Sequence, residues 1–163
     1  YGSRAECTSY LARMQGWISM LSGAAGHVYG ADGLYYADNW NSLSFPGSSA
    51  VGYMKNFFTA RSQWWLMTPT LDCISIDGVT LVNDNMSHPR CAGVAGSFYA
   101  AYLPDGISGT VRFKNIVNGT YRAQWYNPRT GSYTTINNAL SVNGQWGIPA
   151  RPDGSDWVIL LER

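Results

Sequence analysis

Charge is scarce in this chain. Charged side chains make up 13% of the 163 residues, and the formal net charge is +1. Lysine occurs only as Lys55 and Lys114, and there is no basic run, although phosphate binding requires clustered Lys and Arg. No apolar stretch approaches the roughly 20 residues that span a bilayer, and no signal peptide is recognisable. We therefore expect neither nucleic acid nor a membrane as a partner.

Aromatic residues, in contrast, are abundant. They make up 14% of the chain, with 7 Trp and 11 Tyr beside 18 Gly. Low charge with many Trp, Tyr and Gly is typical of secreted proteins that act on carbohydrates, although aromatic residues also fill ordinary cores. Residue 1 is Tyr rather than Met, so we expect a longer parent polypeptide.

Three cysteines and two sequons bear on the compartment. Cys73 and Cys91 lie in one region and predict a disulfide, which would contribute about 3 kcal/mol in the chain-entropy model. Cys7 is left over, with either a partner elsewhere or a free thiol. Sequons for N-glycosylation begin at Asn85 and Asn118. These features favour an oxidising, extracellular setting, so we expect a secreted protein.

The first part of the chain has the pattern of a helix, a strand and a second helix. Apolar side chains recur every three or four positions over 8–22 and again up to about Trp65. The N-cap candidates are Thr8 or Ser9 for the first helix and Ser48 or Ser49 for the second. Residues 25–30 predict a buried strand. No second strand follows within reach, and a lone strand of this kind needs parallel neighbours for its backbone groups.

The chain changes character after Trp65. We interpret Thr-Pro-Thr at 68–70 as a linker, and beyond it short strands alternate with turn signals, as in an antiparallel β-sandwich. The predicted strands are 73–76, 79–82, 96–102, 109–114, 120–126, 132–136 and 156–161. The last of these is apolar on both faces, which suits a central strand.

Several strings carry a resemblance to a known family. The first part contains R-x-x-x-W (13–17), LSGAAGHVYG (21–30), D-x-W (38–40) and R-x-x-W-W (61–65). The second part contains WYNPRTG (125–131) and DWVILLE (156–162). Together they resemble the last part of apiosidase-like glycoside hydrolases and the β-domain that follows it, usually labelled a collagen-binding domain of a collagenase. The resemblance covers nearly the whole chain.

The resemblance implies an α+β fold in two parts. Residues 1–67 would be the terminal fragment of a (β/α)₈ barrel, helix–strand–helix, with the last barrel strand near 25–30. Residues 71–163 would be an accessory antiparallel β-sandwich. The remainder of the barrel, in the same polypeptide or a second chain, is then an expected partner. The catalytic carboxylates of the family are expected on earlier strands, so no residue of this chain is predicted to be catalytic.

Candidate substrate-binding residues follow the barrel strand, because barrel active sites form at the carboxyl ends of the strands. Asp32 and Asp38 are candidates for contacts to sugar hydroxyls, or they form turns and caps in a Gly-rich loop. Trp40 and Tyr35, with Tyr36, are candidates for stacking on a sugar ring, or they cover the barrel mouth or pack on the sandwich.

His27 and Tyr29 are candidates on the strand itself. They alternate with small residues, and one face of a barrel strand points into the barrel. A hydrogen-bonded core histidine is the alternative for His27. In the second part, a group of aromatic residues forms either a ligand platform or core and interdomain packing: Trp125, Tyr126, Tyr133 and Trp146.

Two hypotheses of function result. No metal-ligand spacing, phosphate-binding loop or nucleophilic triad is recognisable, so no metal or cofactor is expected. The first hypothesis is the C-terminal portion of a secreted glycoside hydrolase acting on polysaccharides or glycosides, inactive as an isolated chain. The alternative is a non-catalytic β-sandwich module that binds carbohydrate or extracellular matrix, or one with a purely structural role.

Overall fold

The computed structural model describes residues 8–30, 40–69, 72–80 and 88–163. Two α-helices come first, and a β-sheet follows. The helices are α1 (Ser9–Leu21) and α2 (Pro46–Thr59), with 3₁₀-helices at Trp40–Ser44 and Trp64–Leu66. The strands are β1 (Thr68–Pro69), β2 (Ile74–Ile76), β3 (Val79–Thr80), β4 (Arg90–Val94), β5 (Phe98–Leu103), β6 (Val111–Asn127), β7 (Ser132–Gly147) and β8 (Trp157–Glu162). The predicted α+β class is confirmed.

Helix α1 follows the sequence pattern closely. Thr8 is its N-cap, and its hydroxyl accepts a hydrogen bond from the backbone N–H of Leu11 at 3.2 Å. The apolar stripe that includes Met14, Trp17 and Leu21 is buried. Of the two predicted caps, Thr8 is therefore the correct one.

Helix α2 differs from the prediction at both ends. Neither predicted Ser caps it, because the helix begins at Pro46, whose fixed φ suits the first helical position. It ends at Thr59, well before Trp65. Gln63 has a left-handed backbone (φ 65°), which a right-handed helix does not tolerate, and Trp64–Leu66 forms a separate 3₁₀ turn.

The predicted buried strand at 25–30 is wrong for the chain as described. Residues 24–30 are assigned to no strand, and Val28 is 90% exposed. The physical reason is that a barrel strand needs parallel neighbours to pair its backbone groups, and the described residues contain none beside it. The alternation of side chains persists, with His27 and Tyr29 half-buried and Val28 on the opposite face.

The eight strands form one antiparallel sheet. Their order is β1-β4-β5-β8-β6-β2-β3, and β7 pairs with β6 beside this path. Strand β8 lies between β5 and β6, with Tyr102 opposite Val158 and Trp125 opposite Ile159. The central position predicted for the last strand is confirmed.

Strands β6 and β7 are longer than predicted. Asn118-Gly119 and Asn143-Gly144, which have the residue types of turns, lie inside β6 and β7. Register shifts between Phe113 and Tyr121 absorb the irregular residues, so the strands bend rather than end. Strand β4 was not predicted, because Arg90–Val94 contains little β-branched sequence.

The sheet has a core on each face. On one face, Trp17, Phe57 and Phe58 of the helices pack against Tyr102 and Leu160 of the sheet, and this is the helix-facing core. On the other face, the sheet curls around its own apolar residues, which form the sandwich core: Ile74, Tyr99, Leu103, Phe113, Tyr121, Trp125, Trp157, Ile159 and Leu161. This is the sandwich-like β-domain that the turn pattern predicted.

The predicted disulfide is present and shows how far the sheet curls. Cys73 and Cys91 are bonded, with a Cα–Cα distance of 6.1 Å. Cys91 lies on β4 and Cys73 precedes β2, and these strands stand toward opposite ends of the sheet order. Both cysteines are buried in the sandwich core, so the bond joins the two ends across it.

The predicted linker is part of the sheet. Thr68 and Pro69 form β1, where Thr68 pairs with Gly93 of β4. The helix-facing core also contains residues from both sides of this stretch. The boundaries 1–67 and 71–163 remain a prediction, and the structure shows that the two parts share a core.

Candidate functional site

The predicted strand residues lie against the helices. Glycines permit the close approach. A Cβ on Gly16 of α1 would lie 3.3 Å from the His27 ring, and one on Gly47 of α2 would lie 3.1 Å from the Tyr29 ring. Burial lowers the pKa of His27 below its usual range, which favours the neutral imidazole. His27 and Tyr29 therefore face the helix layer, and Val28 faces the opposite side.

The other predicted contact residues follow this segment in the chain. Trp40 begins the first 3₁₀-helix, and its side chain is 65% exposed. Asp32, Tyr35, Tyr36 and Asp38 lie outside the described residues. The substrate-binding role of all seven residues stays a prediction.

Large apolar side chains are exposed around the same segment. Val28, Trp40, Leu43 and Phe45 are 90%, 65%, 52% and 45% exposed, and together they are the uncovered apolar group. Soluble proteins rarely leave several large apolar residues exposed close together in sequence unless another surface covers them. In a barrel, the face that Val28 presents is the one turned away from the helices.

The aromatic candidates of the β-domain serve mainly in packing. Trp125 lies in the sandwich core, and the hydroxyl of Tyr126 donates to the backbone carbonyl of Tyr53 in α2 at 2.7 Å. Tyr133 is 43% exposed and stacks on Phe57 of α2, with ring centroids 6.4 Å apart. The partly buried Trp146 stacks on Phe113. The core and interdomain interpretation of this group is therefore correct for Trp125 and Tyr126.

A buried polar cluster joins α1 to the β-domain. The Arg13 guanidinium donates two hydrogen bonds of 2.7 Å to the two carboxylate oxygens of Asp156. The hydroxyl of Tyr102 donates to the same carboxylate at 2.9 Å. Arg13 and Asp156 are 8% and 1% exposed. We call Arg13, Tyr102 and Asp156 the polar junction.

The junction also shifts proton equilibria. Burial lowers the pKa of Arg13, but the hydrogen bond and charge of Asp156 raise it by more, so the cation is retained. Burial and the Asp156 charge together raise the pKa of Tyr102 far above its usual range. Beside the junction, burial and a hydrogen bond with Asp105 raise the pKa of Tyr10.

The junction was missed at the level of the sequence. Arg13 and Asp156 belong to the strings R-x-x-x-W and DWVILLE, but 143 positions separate them, and nothing local links them. A second ion pair between the parts, Arg61 with Glu162 at 3.2 Å, was missed for the same reason. Their membership in the two recognisable strings was the only signal.

A cleft of about 410 Å³ opens at one end of the β-domain. It is lined by Leu103, residues 107–111, residues 148–151 and Asp153. The guanidinium of Arg151 holds its wall, donating to the backbone carbonyls of Pro104, Ile107 and Ser155 at 2.7 to 2.8 Å. None of these residues is predicted as a site from the sequence.

Other predicted features can be placed only in part. Asn118 and Thr120 of the second sequon are exposed on β6, whereas Asn85 and Cys7 lie outside the described residues. Glycosylation stays a prediction. Within residues 8–30, 40–69, 72–80 and 88–163, no three His, Cys, Asp or Glu side chains are grouped to hold a metal ion. Nor does this part of the chain contain a helix long and apolar enough to cross a membrane.

Comparison with known families gives the two parts their class. Residues 2–65 match the family model "Apiosidase-like, catalytic domain". Residues 77–162, more than half of the chain, match the model "Putative collagen-binding domain of a collagenase". The chain therefore belongs to the latter family, preceded by an apiosidase-like segment, and the composition inferred from the motifs is confirmed.

Solved structures support the same architecture. A protein titled "Glycoside hydrolase" superposes with a TM-score of 0.72 at 18% identity, covering 95% of this chain and 37% of its own. A glycoside hydrolase family 5 protein from Bacteroides vulgatus gives 0.71 at 18% identity, covering 94% and 36%. At such identities the likeness shows the fold alone. The chain spans little more than a third of these structures, and no curated protein matches it in sequence.

Proposed function

We propose that this chain is the C-terminal portion of a secreted glycoside hydrolase that acts on polysaccharides or glycosides. The catalytic carboxylates lie in the barrel strands that precede this segment, and glycoside hydrolysis needs two of them flanking the scissile bond. The chain contributes the last helix–strand–helix unit of the barrel and the β-domain that supports it.

The observation that carries the proposal is the uncovered apolar group. A strand-like segment whose Val28 is 90% exposed, followed in the chain by exposed Trp40, Leu43 and Phe45, has the surface expected of a barrel edge whose neighbouring strands are supplied elsewhere. The family match over residues 2–65 supports the proposal that this neighbour is the rest of an apiosidase-like catalytic domain.

The proposal that the protein is secreted is supported by its disulfide. The Cys73–Cys91 bond closes the curl of the β-domain, and structural disulfides persist in oxidising compartments. A substrate-contact role for Trp40 fits its exposure, since an open aromatic ring can stack on a sugar face.

The test compares this chain with the parent polypeptide. Both are assayed against plant polysaccharides and aryl glycosides, and hydrolysis is expected from the parent and none from the isolated 163 residues. A parent variant with Trp40→Ser should raise KM more than it lowers kcat, whereas Trp65→Ser, an equally exposed Trp in the second 3₁₀-helix, is the matched control. Turnover by the isolated chain would contradict the placement of the carboxylates.

A second candidate is a non-catalytic module. The family name of residues 77–162 refers to collagen binding, and the β-domain has a cleft of its own. If this candidate holds, immobilised collagen or a glycan array will retain the chain while the parent hydrolyses nothing. Retention by neither surface leaves a purely structural role for the β-domain.

A further inference from the structure

We propose that the cleft between residues 107–111 and 148–151 is a binding subsite for a short neutral saccharide. This inference rests on the proposed function, because it takes the ligand from the substrate class of the hydrolase. The cleft volume of about 410 Å³ falls in the range of roughly 300–1,000 Å³ that ligand sites occupy.

The walls of the cleft are held in place before any ligand arrives. Arg151 donates to three backbone carbonyls, two of them in the loop that leads into residues 107–111. The N–H of Thr110 donates to the Asp77 carboxylate at 2.7 Å, and the N–H of Ile148 donates to the carbonyl of Val111 at 2.9 Å. A site formed in advance loses little conformational entropy on binding.

The charges of the cleft favour a neutral ligand. The Arg151 guanidinium is engaged by carbonyls, so it offers little to an anion. The Asp153 carboxylate is paired with Arg129 at 3.0 Å, which compensates its charge against a cation. Hydrogen bonds from Trp157, Ser155 and Arg129 lower the pKa of Asp153 to about 2, so it remains an acceptor for hydroxyl groups.

The lining matches the two sides of a sugar ring. Ser108 and Thr110 are exposed, and their hydroxyls both donate and accept. Across the cleft, Ile148, Pro149 and Ala150 form an apolar surface. A pyranose has hydroxyls around its edge and C–H groups on its face, so it satisfies both surfaces at once.

The position of the cleft relates it to the barrel. Ser155, whose carbonyl accepts a hydrogen bond from the cleft residue Arg151, precedes Asp156, which binds Arg13 in the N-terminal half of α1. In a (β/α)₈ barrel the helices begin at the end where the strands finish, and that end carries the active site. The cleft therefore lies toward the catalytic end, where a saccharide extending from the barrel would pass.

The test titrates the full 163-residue chain with neutral saccharides of two and three rings, such as cellobiose, xylobiose and mannotriose, followed by NMR or calorimetry. Ala150→Trp fills the cleft, and Ala139→Trp, on the exposed face of β7, is the matched control. We expect at least one saccharide to bind with a Kd of about 1 mM or lower. The affinity should fall more than tenfold in Ala150→Trp and should not change in Ala139→Trp.

Three results would overturn the subsite: no binding of any neutral saccharide, binding that survives Ala150→Trp, or a preference for an acidic oligosaccharide or a peptide. The hydrolase proposal is tested apart from this by the parent. If the parent cleaves aryl glycosides while the cleft binds no saccharide, only the subsite proposal is contradicted. If the parent cleaves nothing while the cleft binds saccharide, only the hydrolase proposal is contradicted.

Discussion

The helical segment and the β-domain differ in how completely they bury their apolar side chains. Among the residues that the structure describes, nine large hydrophobic side chains are exposed: six lie between residues 28 and 66, and Val79, Val117 and Tyr133 lie in the β-domain. The β-domain curls around its own core, whereas the helical segment buries one side against the sheet and leaves the other open. The difference supports the proposal that the rest of a barrel covers the open side of the helical segment.

The two parts nevertheless depend on each other. Trp17 is fully buried among Phe57, Phe58, Tyr102 and Tyr126, which come from both parts. The polar junction lies within the same interface. We therefore expect the parts to unfold together, and the predictions below test that expectation from the largest effect to the smallest.

Removing one side of the polar junction should have the largest effect. Asp156→Asn leaves the Arg13 cation buried without a counter-charge, and breaking a buried ion pair in this way costs about 3–5 kcal/mol of unfolding free energy. Urea unfolding followed by circular dichroism measures the loss. Arg13→Met combined with Asp156→Leu should lose less than either single change, because no unpaired charge remains. A loss below about 1 kcal/mol in Asp156→Asn would contradict a shared, water-excluded interface.

The disulfide comes next. Replacing Cys73 and Cys91 by Ser should lower the free energy of unfolding by about 3 kcal/mol, since the bond restricts a loop in the unfolded chain. Thermal denaturation with and without reductant measures the change. Reductant should destabilise the original protein and leave the double-Ser variant unchanged. Equal sensitivity of both proteins would show that another thiol is responsible.

Acid should weaken the β-domain through Asp153. Its folded-state pKa of about 2 lies below the unfolded value near 3.9, so its contribution is present above the unfolded pKa and is lost as pH falls through the folded one. The stability difference between the original protein and Asp153→Asn should therefore shrink between about pH 4 and pH 2. The effect is small because the carboxylate is half exposed. A difference independent of pH over this window would show that the Trp157 and Arg129 contacts do not favour the charged form.

The smallest effect is expected on the open side of the helical segment. Trp40→Ser should change the stability of this chain by no more than about 0.5 kcal/mol, because the ring is 65% exposed. Phe57→Ala, on the buried side, should cost about 3–5 kcal/mol. Comparable losses from both would mean that Trp40 packs against the rest of the chain. In the parent, Trp40→Ser should also affect the kinetics, because we propose that this ring stays open to substrate while the barrel covers Val28, Leu43 and Phe45.

Local patterns were sufficient for much of the fold. Thr8 and the stripe through Trp17 specified α1, and the continuous apolar run of β8 specified a strand buried on both faces. The strand ends were less predictable. Asn118-Gly119 has the chemistry of a turn, yet β6 continues through it, because pairing with β7 tolerates bulges there.

The candidate sites were predictable only as residue types. His27 was recognised on its segment, but which way it faces depends on Gly16 of the neighbouring helix. The cleft depends on hydrogen bonds from Arg151 to carbonyls more than forty positions away in the chain. The polar junction depends on the contact of Arg13 with Asp156, which are 143 positions apart. Periodicity and motif spacing describe near neighbours in sequence, so they carry no information on such contacts.

Sequence patterns alone predicted two helices in an apiosidase-like first part, a β-domain and a disulfide. These predictions depend on local propensity, on strings of adjacent residues and on the cysteine positions. The exposure of Val28 and Trp40, the contact of Arg13 with Asp156 and the cleft beside Arg151 follow from the tertiary structure. Burial and ion pairing between distant residues arise when the chain folds, because they depend on which surfaces meet.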